Sequence, residues 1–156
     1  MNYWLLKSEP DAYSIDDLAN EPKKTEHWDG IRNYQARNFM RDDMKKGDLA
    51  FFYHSNCKEP GIVGIVEVVR EAYPDHTALD KKGKYHDPKA TKENPRWVMV
   101  DVKLKKRLKR LVTLAEMKEK LPLKDMRLVA KGNRLSIMPV AKKEWDYILK
   151  LSEKPA

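Results

Sequence analysis

Residues 62–69 read IVGIVEVV and are almost entirely β-branched or apolar. This composition is typical of a strand with two buried faces, at the centre of a sheet or barrel. A glycine inside such a run, here Gly64, indicates a bulge or the close approach of another part of the chain. The segment therefore predicts a central strand for the fold.

Further strand signals lie on both sides of this segment. Residues 48–54 read DLAFFYH, and residues 97–104 alternate apolar and charged side chains, as a half-buried strand does. Short apolar runs at residues 3–7 and 135–140 can each add another strand. The predicted strands thus extend over nearly the whole chain.

Helix signals fall between these strands without a regular strand–helix–strand repeat. Residues 14–20 and 113–120 begin with serine and threonine, which cap helices well. Residues 33–44 and 141–151 each carry an apolar stripe with helical spacing. Because 156 residues suffice for one domain, we predict a single α+β domain, a mixed β-barrel flanked by helices.

One long segment does not fit a compact core. Residues 74–95 read PDHTALDKKGKYHDPKATKENP, with three prolines, five lysines and Tyr85. Structureless loops of this length are uncommon in compact domains and are usually functional or disordered. We predict a mobile basic lid that becomes ordered over a bound polyanion.

The charge is strongly uneven. Lys plus Arg number 32 against 24 Asp plus Glu, yet residues 1–30 hold seven acidic and only three basic residues. The densest basic run is 103–110, with six cations in eight positions. Such a field favours nucleic acid as a partner, although a charged face kept for solubility is the alternative.

Composition also limits the compartment. A single cysteine excludes an internal disulfide framework and fits a reducing environment. The apolar stretches are far shorter than the ~20 residues of a membrane span, and no signal peptide is visible at the start. We expect a cytoplasmic protein without membrane contacts, with a monomer favoured.

Patterns for catalysis are sparse. The sequence has no glycine-rich phosphate loop, no nucleophile elbow and no His/Cys spacing typical of metal sites. His54 and Cys57 could form a thiol and its base, but no third group is present to orient them. We therefore expect no enzyme, no metal and no cofactor. The alternative is a nucleotide- or thiol-active enzyme that uses this pair.

The most informative segment for function is EHWDGIRNYQARNF, residues 26–39. Trp28 precedes an Asp-Gly turn, and planar multi-donor side chains follow directly. Arg, Asn and Gln bind base edges and phosphates, while a tryptophan supplies a stacking face for an unstacked base. The alternative is that Trp28 packs in the core while the polar residues cap a helix.

Six stretches together resemble the EVE-domain family. They are YWLLKSEP (3–10), SIDDL (14–18), HWDGIRNYQARNFMRD (27–42), GDLAFFYHSNCKEPGIVGIVEVV (47–69), YHDPKATKENPRWVMVDV (85–102) and GNRLSIMPV (132–140). The resemblance implies a PUA-like fold, related to YTH and ASCH domains, that reads modified bases in DNA or RNA without catalysis. It also implies a pocket where KSEP, WDG, HSN and the long loop converge.

On this basis we predict a base pocket with Trp28 and Tyr85 as aromatic walls. Ser8, Ser55 and Asn56 are expected to hydrogen-bond the base, although backbone capping is the alternative for Ser8 and Asn56. The predicted contacts to phosphate and backbone are Arg32, Asn33, Arg37, Lys81, Lys82 and Lys84. The predicted partner is nucleic acid with a modified base, methylation being the expected modification. A small-molecule-binding adaptor is a further alternative.

Overall fold

The central apolar run lies in a strand of 14 residues. In the computed structural model, which describes residues 1–155, six strands form one mixed sheet. They are β1 (Tyr3–Ser8), β2 (Thr25–Trp28), β3 (Leu49–His54), β4 (Gly61–Pro74), β5 (Val98–Thr113) and β6 (Ile137–Val140). Their order is β2-β5-β4-β3-β1-β6, with β1 parallel to β3 and every other pair antiparallel. The predicted α+β class is confirmed.

The sheet is not closed by hydrogen bonds. Within residues 1–155, β2 pairs only with β5 and β6 only with β1, so these two short strands are edges. The mixed β-barrel that the sequence predicts is thus an open six-stranded sheet. Register shifts between β4 and its neighbours mark bulges, which bend strands and increase their twist.

Four short helices pack around the sheet. They are α1 (Ile15–Ala19), α2 (Tyr34–Asn38), α3 (Leu114–Lys118) and α4 (Lys142–Ser152). Side chains of Ser14, Asn33 and Thr113 accept hydrogen bonds from backbone amides at the starts of the first three. The helix predicted over 33–44 changes after Asn38 into a π-helical turn, Phe39–Asp43. No helix within residues 1–155 is long and apolar enough to cross a membrane.

Gly64 allows the close approach predicted for it. A Cβ at this position would lie 2.4 Å from Ile15 Cδ1 and 2.9 Å from the carbonyl oxygen of Lys106. The register of β4 against β5 also shifts beside this glycine. Gly64 thus lets α1 pack directly on the sheet.

Both faces of the sheet are buried, as the central sequence run predicts. Along β3, Phe51 and Phe52 point to opposite clusters of apolar side chains. On one face Trp145 of α4 stacks on Phe51, with ring centroids 3.8 Å apart. On the other face Trp28 packs edge-on against Phe52 at 5.5 Å. The sheet is therefore the middle layer of the domain.

The basic run 103–110 lies within β5, which extends well beyond the strand predicted over 97–104. Carboxylates of other segments pair with most of its cations: Lys105 with Glu67, Lys106 and Lys109 with Glu153, Arg107 with Asp16, and Arg110 with Glu116. The run is thus largely charge-compensated, which favours the structural interpretation over a polyanion surface.

The segment 74–95 contains folded structure, and the prediction that it is a mobile lid ordered by a ligand stays a prediction. It contains a 3₁₀ turn, His76–Leu79, and a small cluster in which Ala78 and Ala90 pack with Trp97. The indole Nε1 of Trp97 donates to Asp87 at 2.6 Å. Two alanines and one tryptophan are too few to register as an apolar pattern, so the sequence conceals this cluster.

Candidate functional site

A cavity of about 590 Å³ opens beside the ends of β1 and β2. Five segments line it: β1 with the turn after it, β2 with the turn after it, the residue after β3, the long loop, and the segment before β6. These include the places where the family resemblance implies a pocket. The volume is in the range of small-molecule and cofactor sites.

Trp28 and Tyr85 both line this cavity, although they come from distant segments. Trp28 is only 7% exposed and belongs to the core cluster that contains Phe52. Its ring therefore does what both interpretations require, because it fills the core and contributes to the cavity wall. Tyr85 is half-buried on the long loop.

The ring of Tyr85 rests on the backbone of Gly30. A Cβ at Gly30 would lie 2.6–2.8 Å from three ring carbons of Tyr85, and Gly30 has a φ of +76°. Only glycine satisfies both conditions without strain. The Asp-Gly turn predicted from the sequence thus positions the second aromatic wall.

We expect Gly30→Ala to destabilise the domain more than Gly132→Ala. Both glycines have positive φ, which costs other residues roughly 1–2 kcal/mol, but Gly132 has no atom within 4 Å of its would-be Cβ. The difference between the losses in unfolding free energy of Gly30→Ala and Gly132→Ala measures the clash with Tyr85. Denaturant unfolding of both variants checks this, and equal losses would contradict the contact.

The serines predicted for the pocket are present in the cavity, whereas Asn56 is not. Ser8 and Ser55 line it, and the Ser8 hydroxyl donates to the carbonyl oxygen of Tyr13. The side chain of Asn56 is turned to Glu9, to which its Nδ2 donates at 3.1 Å. The bond of Ser8 to backbone matches the capping alternative for Ser8, whereas the bond of Asn56 joins two side chains and matches neither prediction.

Arg32 does not have the geometry of a phosphate contact. All its N–H donors serve internal acceptors: the carbonyl oxygens of Ile31 and Tyr85, the carboxylate of Asp75 and the hydroxyl of Thr77. A guanidinium has five donors, and none remains for a ligand. Arg32 instead holds the long loop against the turn after β2.

Arg37 and Asn33 are also used internally. The guanidinium of Arg37 donates to Asn38 and to the carbonyl oxygen of Arg96, and it lies 4.7 Å from the ring centroid of Tyr34. Asn33 caps α2 by accepting from Ala36 N. Neither residue lines the cavity, and their predicted role as phosphate and backbone contacts stays a prediction.

Asp75 is the main acceptor for the hydrogen bonds that hold the long loop against the turn after β2. Its side chain has no solvent exposure and accepts from Gly30 N at 2.9 Å, from Arg32 and from Thr77. Burial alone favours the neutral acid, but these hydrogen bonds outweigh it and hold the pKa of Asp75 below its ordinary value. The carboxylate is therefore ionised, and it holds the turn after β2 and the long loop together.

The three lysines predicted to contact phosphate differ in their position relative to the cavity. Lys84 lines the cavity, with its ammonium 5.5 Å from the centre of the Tyr85 ring. Lys81 and Lys82 are exposed on the same loop but do not line the cavity. Only Lys84 is placed to contact the part of a ligand that enters the cavity.

The sequence did not single out several of the lining residues. Tyr13, Glu26, Asp29 and Arg134 all contribute to the cavity. The Tyr13 hydroxyl is buried without a hydrogen-bond partner among residues 1–155, and burial raises its pKa. Burial also raises the pKa of Glu26 above its ordinary value. Unpartnered buried polar groups call for an explanation, and a ligand is one.

His54 and Cys57 do not form a nucleophile and its base. The imidazole Nε2 of His54 accepts from Ile15 N at 3.1 Å, and the thiol of Cys57 contacts the backbone oxygen of His54 at 3.8 Å. Neither residue lines the cavity. The imidazole therefore has a structural role at the start of α1.

We expect this imidazole to make stability depend on pH. Burial lowers the pKa of His54 below its ordinary value of 6.5, so the folded state resists protonation that the unfolded chain accepts. Stability should be complete above that value and fall as the pH drops below it. His54→Gln keeps an acceptor for Ile15 N and should lose less stability between about pH 7.5 and 5.5. Equal losses in both proteins would contradict this.

Comparisons with known proteins agree on one family. The EVE domain pattern matches residues 2–151. Human thymocyte nuclear protein 1 is 48% identical over 170 residues, which covers 98% of this chain and 75% of that protein. The structure of human THYN1 protein in complex with 5-methylcytosine containing DNA is 47% identical, with a TM-score of 0.96 over all of both chains. A hypothetical protein from Leishmania major is 55% identical, with a TM-score of 0.92 over 98% of this chain and 95% of that one.

A more distant structural likeness concerns the fold alone. An ASCH protein from Zymomonas mobilis is 11% identical and superimposes with a TM-score of 0.54 over 97% of this chain.

The expected cytoplasmic location is contradicted by these relatives. The human, chicken and mouse proteins are all named thymocyte nuclear protein 1. The prediction rested on the single cysteine, the short apolar stretches and the lack of a visible signal peptide. Disulfides are rare in nuclear as well as in cytosolic proteins. Cysteine content therefore could not distinguish the two.

Proposed function

The chain belongs to the EVE domain family, and we propose that it is a non-catalytic module that binds nucleic acid and holds one modified base between Trp28 and Tyr85. The observation that carries this proposal is the cavity that both of these aromatic side chains line. The close similarity to a structure of human THYN1 protein with 5-methylcytosine containing DNA supports it. DNA is accordingly the proposed partner.

Physical chemistry makes such a pocket workable. A base leaves its stack at a cost of a few kcal/mol, and stacking on an aromatic side chain returns about 1–3 kcal/mol per base. Two walls from separate segments can therefore hold an unstacked base. The packing of Tyr85 on Gly30 supports a second wall that is already in position in the free protein.

The polar lining favours a base with an amino group. Glu26 and Asp29 line the cavity on the side of β2, and Glu9 lines it after β1. Carboxylates accept hydrogen bonds from the N4 amino group of cytosine, whereas thymine and uracil present an acceptor at the same place. Adenine also presents an amino group, and the 5-methylcytosine in the DNA bound by the similar human protein favours cytosine of the two as the proposed base.

A methyl group on this base would be read by apolar contact. Trp28 and Ile31 are the largest apolar groups of the lining. Burying one carbon contributes roughly 0.8 kcal/mol, which is about fourfold in Kd. We propose that methylation strengthens binding by a factor of this order.

Tyr85→Ala tests whether the cavity is the binding site. Loss of one stacking face should weaken binding to an oligonucleotide with 5-methylcytosine by about 5- to 150-fold, equivalent to about 1–3 kcal/mol. Tyr147→Ala is the matched control, because Tyr147 lies on α4 and does not line the cavity. Titration of a fluorescent oligonucleotide measures both. Similar affinities for the two variants would contradict the assignment.

A further inference from the structure

The arginines near the cavity differ in how their donors are used. Arg32 uses all five of its donors, and Arg37 three of its five, on acceptors within the protein. Arg134 also lines the cavity, but it is exposed and has no hydrogen bond or ion pair with any of residues 1–155. It is therefore an arginine at the site with its guanidinium available.

A second unpaired cation lines the cavity with Arg134. Lys7 ends the apolar part of β1, and its backbone N donates to Ser136 O at 2.8 Å, which places β1 beside the segment that carries Arg134. Its ammonium has no ion pair among residues 1–155 and lies 5.9 Å from the ring centre of Tyr53. Partial burial lowers its pKa, as expected for a cation without a counter-ion.

The carboxylates are arranged differently. Glu26 and Asp29 belong to β2 and the turn after it, whereas Lys7 and Arg134 belong to β1 and the segment before β6. Two exceptions are Glu9, which follows β1 and accepts from Asn56, and Lys84 on the long loop. Apart from these, the charged lining places cations on the side of β1 and β6 and acceptors on the side of β2. A nucleotide has the same polarity, with an anionic phosphate at one end and a base with hydrogen-bond donors at the other.

We infer that Arg134 and Lys7 bind the phosphate of the nucleotide whose base occupies the cavity, an inference that rests on the proposed function. A guanidinium offers two parallel N–H groups to phosphate oxygens, and an ammonium adds a compact charge. The pair replaces Arg32 and Arg37 in the role that the sequence suggested. Together with the carboxylates, it orients the nucleotide so that the base edge meets Glu26 and Asp29.

The test compares Arg134→Gln and Lys7→Gln with Arg107→Gln as the matched control. Arg107 lies on β5 and is also exposed, but it is paired with Asp16 of α1 and does not line the cavity. The probes are two single-stranded oligonucleotides that differ only in one 5-methylcytosine or cytosine. Their Kd is measured over a series of salt concentrations for each protein.

We expect Arg134→Gln to weaken binding to both probes by about tenfold at low salt. The slope of log affinity against log salt should become shallower by about 0.7, as for one lost phosphate contact on a single strand. The preference for 5-methylcytosine should remain. Lys7→Gln should act in the same direction, and Arg107→Gln should change neither affinity nor slope.

Three results would overturn the inference. An unchanged slope in Arg134→Gln, with wild-type preference for 5-methylcytosine intact, would reject the phosphate contact and leave the proposed function standing. Loss of the preference in Arg134→Gln would mean that this residue contacts the base instead. Absence of binding by the wild-type protein to either probe would reject the proposed function itself.

Discussion

Trp28→Ala is expected to lower the free energy of unfolding by about 3–5 kcal/mol, as for a core tryptophan. The ring is 7% exposed and packs edge-on against Phe52 inside the larger apolar cluster. Its removal leaves a cavity in the core as well as an open side in the pocket. Urea unfolding of the variant and the wild type gives the difference directly. A loss below about 1 kcal/mol would contradict this packing.

Measurements of binding distinguish the packing of Trp28 in the core from its proposed role as a wall of the base pocket. Trp28→Phe keeps an aromatic face and most of the packing, so it should remain folded and still prefer a modified base, though less strongly. Trp145→Ala is the control, because Trp145 packs on Phe51 at the opposite face of the sheet. It should lose comparable stability while the remaining folded protein keeps the wild-type preference. If Trp145→Ala lost the preference for a modified base, the assignment of Trp28 as a wall of the base pocket would be contradicted.

Asp75→Asn is expected to have the next largest effect, about 3–5 kcal/mol, because it leaves Arg32 without its charged partner in a largely desolvated site. The amide keeps only one of the two oxygens. Either Gly30 N and Arg32, which share Oδ2, or Thr77, which donates to Oδ1, therefore loses its acceptor. Asp42→Asn is the matched control. Asp42 pairs with Arg41, but both are exposed, and little change is expected.

Asp75→Asn should also release the long loop, residues 74–95. In the wild-type protein, Arg32 holds Tyr85 by its carbonyl oxygen, and Asp75 holds the start of the loop. Amide hydrogen exchange within residues 75–90 should be slow in the free wild-type protein and faster in Asp75→Asn. Exchange that is equally fast in both would restore the mobile lid that the sequence suggests.

Much of the fold could be predicted because it depends on local patterns. The central run, the alternation along 97–104 and the capping residue Ser14 each act within a few positions, and their elements form where predicted. The sheet edges could not be predicted, because pairing depends on segments far apart in the chain. The length of β5 was hidden by its cations, whose acidic partners lie up to 91 residues away, as for Arg107 and Asp16.

The site was less predictable for the same reason. Trp28 and Tyr85 could be proposed from their residue types and from the family resemblance. Whether an arginine is free or engaged depends on its partners, and Arg32 finds acceptors 43 to 53 residues along the chain. Arg134 lies within GNRLSIMPV, a stretch that supports the resemblance, but nothing local distinguishes it from other surface cations. Tyr13 carries no sequence signal at all.

The central claim is that one cytosine base, read by its amino and methyl groups, occupies the cavity. The most direct test measures the affinity of the wild-type protein for four single-stranded oligonucleotides that differ at one position: 5-methylcytosine, cytosine, thymine or uracil. We predict tightest binding to 5-methylcytosine, about fourfold weaker binding to cytosine, and weaker binding to thymine than to 5-methylcytosine although both carry the methyl group. Equal affinity for all four, or thymine bound as tightly as 5-methylcytosine, would contradict the claim.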